Sequence, residues 1–571
     1  MNKLKIFSVA LVLFGAGTYA QDLNQANKAI DAEQYEKAKT ILKSVVASKP
    51  DEGKNFFILG NLYLTQKLQD SAKIFFDKGL VAKSGMQFNY IGLGQIDLEN
   101  GNKAGALANF DKAVINVKKK DFEEFLFIGR AYMNPVNPDY KKALENLNKA
   151  KLSAPLNAQV LLSLGDAYVG DKNVNEAYSA YRNAYDADKS VLRAKLQLGV
   201  ITKGSKAFKE AEDEFNKILV ENPNYGPAYR ELAETYYLKA LNEKDQTKYP
   251  ELNKKAIEFY EKYMTMTDYS LDSRMRHADF LILTKDYKAL EAEATAMQKL
   301  DKVNPRILRY LGYSAYQNGN SDAAIKALDD FLAKDKSKII GRDYLYLGLA
   351  KTQKALTVTT NAENKQVGTV DKALFDLGIA DIRKGVELDP SMANELNDFG
   401  KKFFDLKLYK EAAGIYEIAT TNPNSRNFLY DNFYLGYALY YDNAYKPETE
   451  PVDVASLKKA LVAFDNVIKE RPKQQDAYLY KARLNSLITN DTVAQDDMVK
   501  SYEDYVRVVT EKGPEEAAKA ENKKKFIEAY NNIAIHFLKT DKVKAKENLD
   551  KVLALDPANE DALANMKFVK Q

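Results

Sequence analysis

The chain has 571 residues, far more than one hydrophobic core usually organises, so several domains or an array of repeats is expected. Its 27 glycines and 15 prolines are too few for a turn-rich all-β fold and favour helix, and a formal net charge of +4 gives no field that would attract nucleic acid. Cysteine and tryptophan are absent and there are two histidines, which excludes disulfides and cysteine-ligated metals. We therefore expect no enzyme activity, no catalytic residue, no metal site and no cofactor.

The first predicted element is a signal peptide at residues 1–20. A start with two lysines precedes an apolar run from Ile6 to Gly17, and the small residues Thr18 and Ala20 stand three and one positions before a cleavage point. The apolar run has about 12 residues, whereas a membrane-spanning helix needs about 20. We expect export to the periplasm or the outer membrane of a Gram-negative bacterium. A lipid anchor is not expected, because no N-terminal cysteine is present.

After the signal peptide, a small residue following an apolar one recurs along the whole chain. The first six gaps are 34 to 36 residues, and the later gaps of 34 to 52 residues are consistent with the same unit carrying insertions. These anchor positions are Ala26, Gly60, Gly94, Gly129, Gly165, Gly199, Ala233, Ala278, Gly312, Gly348, Gly400, Gly436, Ala482 and Ala534.

Each repeat predicts two helices. In the second repeat, apolar and small residues fall at helical spacing before and after a polar turn, at Phe56, Leu59, Gly60 and Tyr63 and then at Ala72, Phe76 and Gly79. Small residues allow two helix axes to approach closely, and large ones fill the holes between them. Proline closes many of the repeats, where it stops the second helix. Each repeat is therefore predicted to be a helical hairpin.

This pattern resembles the tetratricopeptide repeat (TPR) family over nearly all of the chain beyond the signal peptide. The resemblance implies an all-α fold, a right-handed superhelical solenoid of about fourteen hairpins. We expect an N-terminal array at 21–305, a C-terminal array with loop insertions at 306–557 and a capping helix at 558–571. Extra residues between the two helices of a hairpin are predicted to form loops along one edge, at 239–254, 354–371 and 442–456.

In this family the first helices line a concave groove that grips other polypeptides. The family register places a candidate protein-binding surface on the ninth and twelfth hairpins, at Arg306, Arg309, Tyr313, Tyr316, Tyr430, Phe433, Tyr437, Tyr440 and Tyr441. Aromatic and arginine side chains are the usual energetic anchors of interfaces. The alternative is that these aromatic side chains only cover neighbouring helices.

The resemblance implies a non-enzymatic scaffold that binds proteins, since fold alone does not fix a function. We expect partners among envelope or secretion-complex proteins, with a role in assembling or secreting a surface complex. Nucleic acid, a small-molecule cofactor and a membrane span in the mature chain are not expected. The alternative is a glycan-binding protein of the outer membrane built on TPR-like helices. Such proteins usually carry a lipid-attached cysteine and tryptophan platforms, and this chain has neither.

Overall fold

The computed structural model describes residues 22–302, 304–334, 336–447 and 449–569. The predicted signal peptide at 1–20 lies outside these residues. The described chain divides into two compact units, and the division falls after Lys302. Within the described ranges, no helix combines the length and the apolar character that a bilayer crossing requires.

The N-terminal unit is a series of paired helices, each packed against the next. Its described residues form eight hairpins, numbered 1 to 8, from sixteen helices. They are α1 (22–31), α2 (Tyr35–Ser48), α3 (Gly53–Thr65), α4 (Gln69–Leu80), α5 (Gln87–Glu99), α6 (Lys103–Val114), α7 (Glu123–Tyr132), α8 (Tyr140–Ser153), α9 (Ala158–Gly170), α10 (Val174–Ala187), α11 (Leu192–Gly204), α12 (Phe208–Glu221), α13 (Gly226–Asn242), α14 (Tyr249–Met264), α15 (Leu271–Thr284) and α16 (Tyr287–Leu300).

The C-terminal unit continues the pattern with hairpins 9 to 14, a short connecting helix (α27) and the final helix (α30). The final helix buries Ala562 and Met566 against hairpin 14, as expected of a cap. Its elements are α17 (Pro305–Gln317), α18 (Ser321–Lys334), α19 (Gly341–Ala355), β1 (Leu356–Thr360), β2 (Gln366–Val370), α20 (Lys372–Leu388), α21 (Asn397–Asp405), α22 (Tyr409–Ala419), α23 (Phe428–Ala444), α24 (Val454–Glu470), α25 (Gln475–Leu487), α26 (Thr492–Glu511), α27 (Pro514–Ala517), α28 (Ala520–Phe537), α29 (Lys542–Leu555) and α30 (Glu560–Val569).

The anchor glycines allow the two helices of a hairpin to approach each other closely. A Cβ built on Gly60 would lie 2.3 Å from the ring of Phe76, and one built on Gly165 would lie 2.4 Å from the ring of Tyr181. Both rings are buried. Only a residue without a side chain leaves room for a ring at this distance. The predicted hairpins and the all-α TPR fold are therefore confirmed.

The turn inside many hairpins has a fixed backbone conformation that the sequence analysis missed. Seven residues after the anchor, eight hairpins carry a residue with positive φ, between 60° and 85°. This left-handed conformation is easy for glycine and costs other residues about 1 kcal/mol or more. Glycine occupies it in only two of the eight hairpins, and the full set is Glu33, Lys67, Gly101, Lys172, Lys206, Lys285, Gly319 and Lys407.

The three predicted insertions differ from simple loops. The segment 239–254 is mostly helical, because α13 extends to Asn242, a 3-10 turn follows at Gln246–Lys248 and α14 begins at Tyr249. At 354–371 the chain forms an antiparallel two-stranded sheet, in which Val358 pairs with Gly368. In the segment 442–456, α23 ends at Ala444 and α24 begins at Val454. The prediction of a loop is thus wrong for the first segment, where the extra residues lengthen both helices.

The two insertions of the C-terminal unit lie against the same turn, between α21 and α22. A Cβ on Gly368 would lie 2.8 Å from Leu408, and Tyr445 packs its ring 6.0 Å from that of Tyr409. The strand pair and the loop after α23 therefore border one edge of hairpin 11.

Replacing Gly165 with leucine is expected to lower the free energy of unfolding by about 2 kcal/mol, because the new side chain overlaps the Tyr181 ring and forces α9 away from α10. Urea titration followed by circular dichroism measures the change. The matched control is Gly204→Ala, since Gly204 ends α11 with no other atom within 4 Å of its built Cβ. Equal stability of the two variants would contradict the packing role of the anchor glycines.

Candidate protein-binding surfaces

The first helices of successive hairpins lie side by side and form one surface of each unit, which we call the first-helix face. In the C-terminal unit, ring contacts join neighbouring first helices. Tyr313 of α17 lies 4.5 Å from Tyr346 of α19, and Tyr437 of α23 lies 4.4 Å from Tyr480 of α25, measured between ring centroids.

Two predicted residues of hairpin 9 belong to a buried network rather than to an open surface. Arg309 donates two hydrogen bonds to Asp343, at 2.7 and 2.8 Å, and the Tyr313 hydroxyl donates a third at 2.7 Å. Asp343 is fully buried and Tyr313 is 1% exposed. Burial and the Asp343 carboxylate raise the pKa of Tyr313 well above its usual value. These side chains hold α17 to α19, so we assign Arg309 and Tyr313 a packing role.

The other two predicted residues of hairpin 9 are partly exposed. The guanidinium of Arg306 lies over the ring of Tyr310 at 5.6 Å, and Tyr316 meets the ring of Tyr346 edge-on at 5.4 Å. Both stay predicted contact residues.

The predicted residues of hairpin 12 form a continuous aromatic surface along α23. Tyr430 is 55% exposed, while Phe433, Tyr437, Tyr440 and Tyr441 are half-buried. Phe433 and Tyr437 also pack on the buried ring of Phe464, at 5.8 and 5.7 Å, so they combine a packing role with an exposed edge. Their use as contact residues stays a prediction.

Hairpin 13 adds residues that the sequence analysis did not single out. Tyr480 lies 5.1 Å from Tyr440 between ring centroids, and its hydroxyl is 2.6 Å from that of Tyr441. The guanidinium of Arg483 lies 4.9 Å above the Tyr480 ring. We call Tyr437, Tyr440, Tyr441, Tyr480 and Arg483 the aromatic patch. Applying the register of hairpin 12 to Ala482 would have placed Arg483 on the same face, but hairpin 13 matches the repeat pattern poorly.

The chemistry of the aromatic patch is neutral and hydrogen-bonding. Burial raises the pKa of Tyr437, Tyr440 and Tyr480, so their hydroxyls stay protonated near neutral pH. Arg483 donates two hydrogen bonds of 2.7 Å to Glu528 of α28, which neutralises its charge. The patch therefore offers flat apolar rings with hydroxyl donors.

From hairpin 5 onward, the first-helix face of the N-terminal unit carries ion pairs that were not predicted, whereas the rings of Phe57, Phe88 and Phe127 join the first helices of hairpins 2 to 4. Arg193 makes a two-pronged ion pair with Asp166, at 2.9 and 3.1 Å, and Lys203 pairs with Glu231 at 2.5 Å. Burial lowers the pKa of Arg130 to about 10. Charges scattered over separate repeats carry no local sequence pattern, so only the fold brings them together.

His277 lies inside hairpin 8, between two glutamates. Its ring nitrogens are 3.2 Å from Glu261 and 3.4 Å from Glu293, and its ring stacks on Tyr260. Burial alone lowers the pKa of this imidazole, but the two neighbouring carboxylates outweigh it and raise the pKa to about 9. This residue is a structural cation of the hairpin.

Replacing Asp343 with alanine is expected to lower the free energy of unfolding by about 3 kcal/mol, because Arg309 and Tyr313 lose their buried acceptor. Urea titration measures the effect. The control is Asp376→Ala, which breaks an exposed ion pair with Lys372 and should change stability little. If both variants are equally stable, the packing role of Arg309 and Tyr313 is contradicted.

His277 should make the stability of the N-terminal unit depend on pH. Its pKa is higher in the folded chain, so its stabilising contribution is complete below the unfolded value of about 6.5 and is lost as pH rises through about 9. Urea midpoints measured from pH 6 to pH 9.5 should therefore fall. His277→Gln should flatten this part of the profile, and an unchanged slope would contradict the ion pairs.

One stretch of the chain matches a known repeat family. A family model described as tetratricopeptide repeat matches residues 288–338, and no curated protein matches the chain. The chain is similar to the C-terminal part of a TPR repeat-containing protein from Cytophaga hutchinsonii, at 23% identity over 51% of this chain and 98% of that one, with a TM-score of 0.30.

Two further solved structures match with lower identity. A thermophilic TPR protein of Thermus thermophilus is 18% identical over 32% of this chain and 98% of that chain, with a TM-score of 0.27. Yeast Tom70 is 14% identical over 93% of this chain and 99% of that chain, with a TM-score of 0.28. Residues 288–338 thus match the tetratricopeptide repeat, and paired helices with a small anchor residue in the first helix recur along the described residues.

Proposed function

We propose that this protein is a non-enzymatic scaffold that is exported to the cell envelope, where it binds other proteins through the aromatic patch and through the exposed Tyr430 of the same helix α23. The patch carries the proposal because its rings keep an exposed edge on the first-helix face besides their contacts with neighbouring helices. Tyr440 and Tyr441 are half-buried on a first helix, and the more exposed Tyr430 and Tyr445 lie beyond them on α23 and just after it. A repeat scaffold of this fold binds polypeptides on such a surface.

The composition of the patch suits a protein partner. Tyrosine rings bury large areas with little loss of side-chain freedom, and their hydroxyls satisfy the polar backbone of a bound chain. Tyr409, Tyr441 and Tyr445 form a stack with ring centroids 5.1 and 5.5 Å apart, which holds the rings in place before a partner arrives. Preorganised side chains lose less entropy on binding.

Location at the envelope rests on the signal peptide pattern at residues 1–20. An exported scaffold without cysteine does not depend on the redox state of its compartment. A role in assembling or secreting a surface complex follows from that location together with the binding surface.

Replacing both Tyr430 and Tyr440 with alanine should weaken partner binding about ten-fold or more, since aromatic anchors of interfaces are each worth about 2 kcal/mol. Crosslinking in intact cells followed by quantitative mass spectrometry measures partner recovery. The control is Phe568→Ala, which removes a ring that is 64% exposed on the capping helix.

Equal recovery of partners by both variants would contradict the proposed surface. Calorimetry with oligosaccharides tests the glycan-binding alternative on the same variants. Tight sugar binding that is lost in the tyrosine variant would support that alternative instead.

Export is expected to leave a mature chain that begins at Gln21. N-terminal sequencing of the protein from the envelope fraction of its own cells measures this directly. Replacing Ala20 with a bulky arginine should block cleavage, because the processing site requires a small residue there. Recovery of the wild-type chain with residues 1–20 intact in the cytoplasm would contradict export.

A further inference from the structure

The turn of hairpin 1 is inserted between charged groups of hairpins 7 and 8, which lie from 197 residues (Arg230) to 230 residues (Tyr263) and more further along the chain. Arg230 of α13 donates a hydrogen bond of 2.9 Å to one Glu33 oxygen, and the Tyr263 hydroxyl donates one of 2.5 Å to the other. Arg276 of α15 lies 3.5 Å from the same carboxylate. The Glu33 side chain is only 14% exposed.

The residues after Glu33 continue this contact. The Gln34 side chain donates a hydrogen bond of 3.0 Å to the carbonyl of Met266. The amides of Glu36 and Lys37, in the first turn of α2, donate to the carboxylate of Asp268. No side chain of the preceding residue caps α2, so Asp268 takes the place of a cap and also complements the positive end of the helix.

A second acid lies two residues before Glu33. Burial raises the pKa of Asp31, while the charge of Arg193 and the hydroxyl of Tyr225 lower it. The segment Asp31-Ala32-Glu33 therefore combines the Glu33 carboxylate, which contacts Arg230 and Arg276, with a second acid whose pKa responds to the charge of Arg193.

The acid at position 33 is not required by the turn itself. The equivalent positive-φ position holds lysine or glycine in the seven other hairpins of this kind, such as Lys67, Gly101 and Lys206. The negative charge at position 33 therefore serves the contact with hairpins 7 and 8 and not the conformation of the turn.

The arginines keep other partners when Glu33 is taken away. Arg230 is also 3.0 Å from Glu231, and Arg276 is 2.9 Å from Asp272. If the turn of hairpin 1 moved away from hairpins 7 and 8, Arg230 and Arg276 would each keep one ion pair. Opening therefore avoids the large free-energy cost of burying an unpaired charge. The contact with hairpin 1 is therefore separable from the folding of hairpins 6 to 8.

We propose that the first-helix face of hairpins 6 to 8 is a binding site for an acidic Asp-x-Glu segment of a partner protein that leads into a helix. The chain's own first hairpin occupies this site until such a partner displaces it. The resident turn defines the chemistry of the partner, because the Glu33 carboxylate contacts Arg230 and Arg276 and the following amides contact Asp268. This inference is independent of the aromatic patch and of its partner.

The first test measures opening of the full chain. Because the protein has no cysteine, Lys43→Cys in α2 and Lys262→Cys in α14, both exposed positions, allow attachment of a fluorescent donor and acceptor. Glu33→Lys places at the turn the residue that five other hairpins use there, so the turn should still form while its charge is reversed. We expect lower energy transfer in this variant than in the wild type. Asp31→Asn with Glu33→Gln is the second variant if the first fails to fold.

The second test measures occupancy with a fluorescent synthetic peptide copying residues 28–40, titrated to millimolar concentration and followed by anisotropy. The Glu33→Lys chain should bind the peptide at least ten-fold more tightly than the wild type, whose site is already filled. A peptide with its own Glu33→Lys change should not bind. Adding Arg230→Gln to the opened chain should abolish binding, and higher salt should weaken it.

Unchanged energy transfer in both variants overturns the proposal. So does absence of peptide binding to the opened chain, or equal binding by the opened and wild-type chains. Circular dichroism on every variant shows whether the helices are intact.

Discussion

The close approach of a glycine on the first helix to a large side chain on the second is the contact on which the rest of the structure depends. In hairpin 6 a Cβ on Gly199 would lie 2.5 Å from the ring of Phe215, and in hairpin 12 one on Gly436 would lie 2.5 Å from the ring of Phe464. The contact fixes the distance between the two helices, because no atom can be added between them. Hairpins of one thickness then stack, and the opposite side of each first helix is left to form a surface.

The sequence was sufficient to predict the hairpins because their determinants are local and periodic. Anchor residues and apolar spacing recur within each repeat, so even the poorly matching hairpins 8 and 13 form two helices each. The strand pair at 356–370 was expected only as a loop, since its short runs of threonine and valine carry no helical period. The left-handed lysines of the turns were also missed, because lysine rarely adopts this conformation.

The candidate site could be predicted less well than the fold. Hydrogen bonds and ion pairs between hairpins decide which side chains stay exposed on the surface, and these contacts are not local in the sequence. The register alone gave Tyr313 and Tyr440 equivalent roles. Asp343, which lies 30 residues beyond Tyr313, accepts hydrogen bonds from the Tyr313 hydroxyl and from the Arg309 guanidinium and so ties both groups to α19. Glu33 and Arg230 are separated by 197 residues, and no sequence pattern relates them. Contacts of this kind depend on the curvature of a folded unit.

The two first-helix faces differ in chemistry. In the C-terminal unit, rings and neutral hydroxyls prevail, and the charge of Arg483 is satisfied by Glu528. In hairpins 5 to 8 of the N-terminal unit, ion pairs prevail and part of the face is covered by the chain itself. Apolar burial gives affinity that salt hardly affects, whereas charged contacts give selectivity and sensitivity to salt. One repeat architecture therefore presents two surface chemistries in one chain.

The most direct measurement of the central claim, that proteins are bound on a first-helix face, is a photocrosslinking scan in intact cells. A benzophenone amino acid is placed at Tyr430 or Tyr440 on α23, and at Val462 on the second helix α24, where the side chain is 60% exposed. The account predicts protein adducts at the two α23 positions and few at Val462. Equal adduct yields at all three positions, or adducts at Val462 alone, would contradict it.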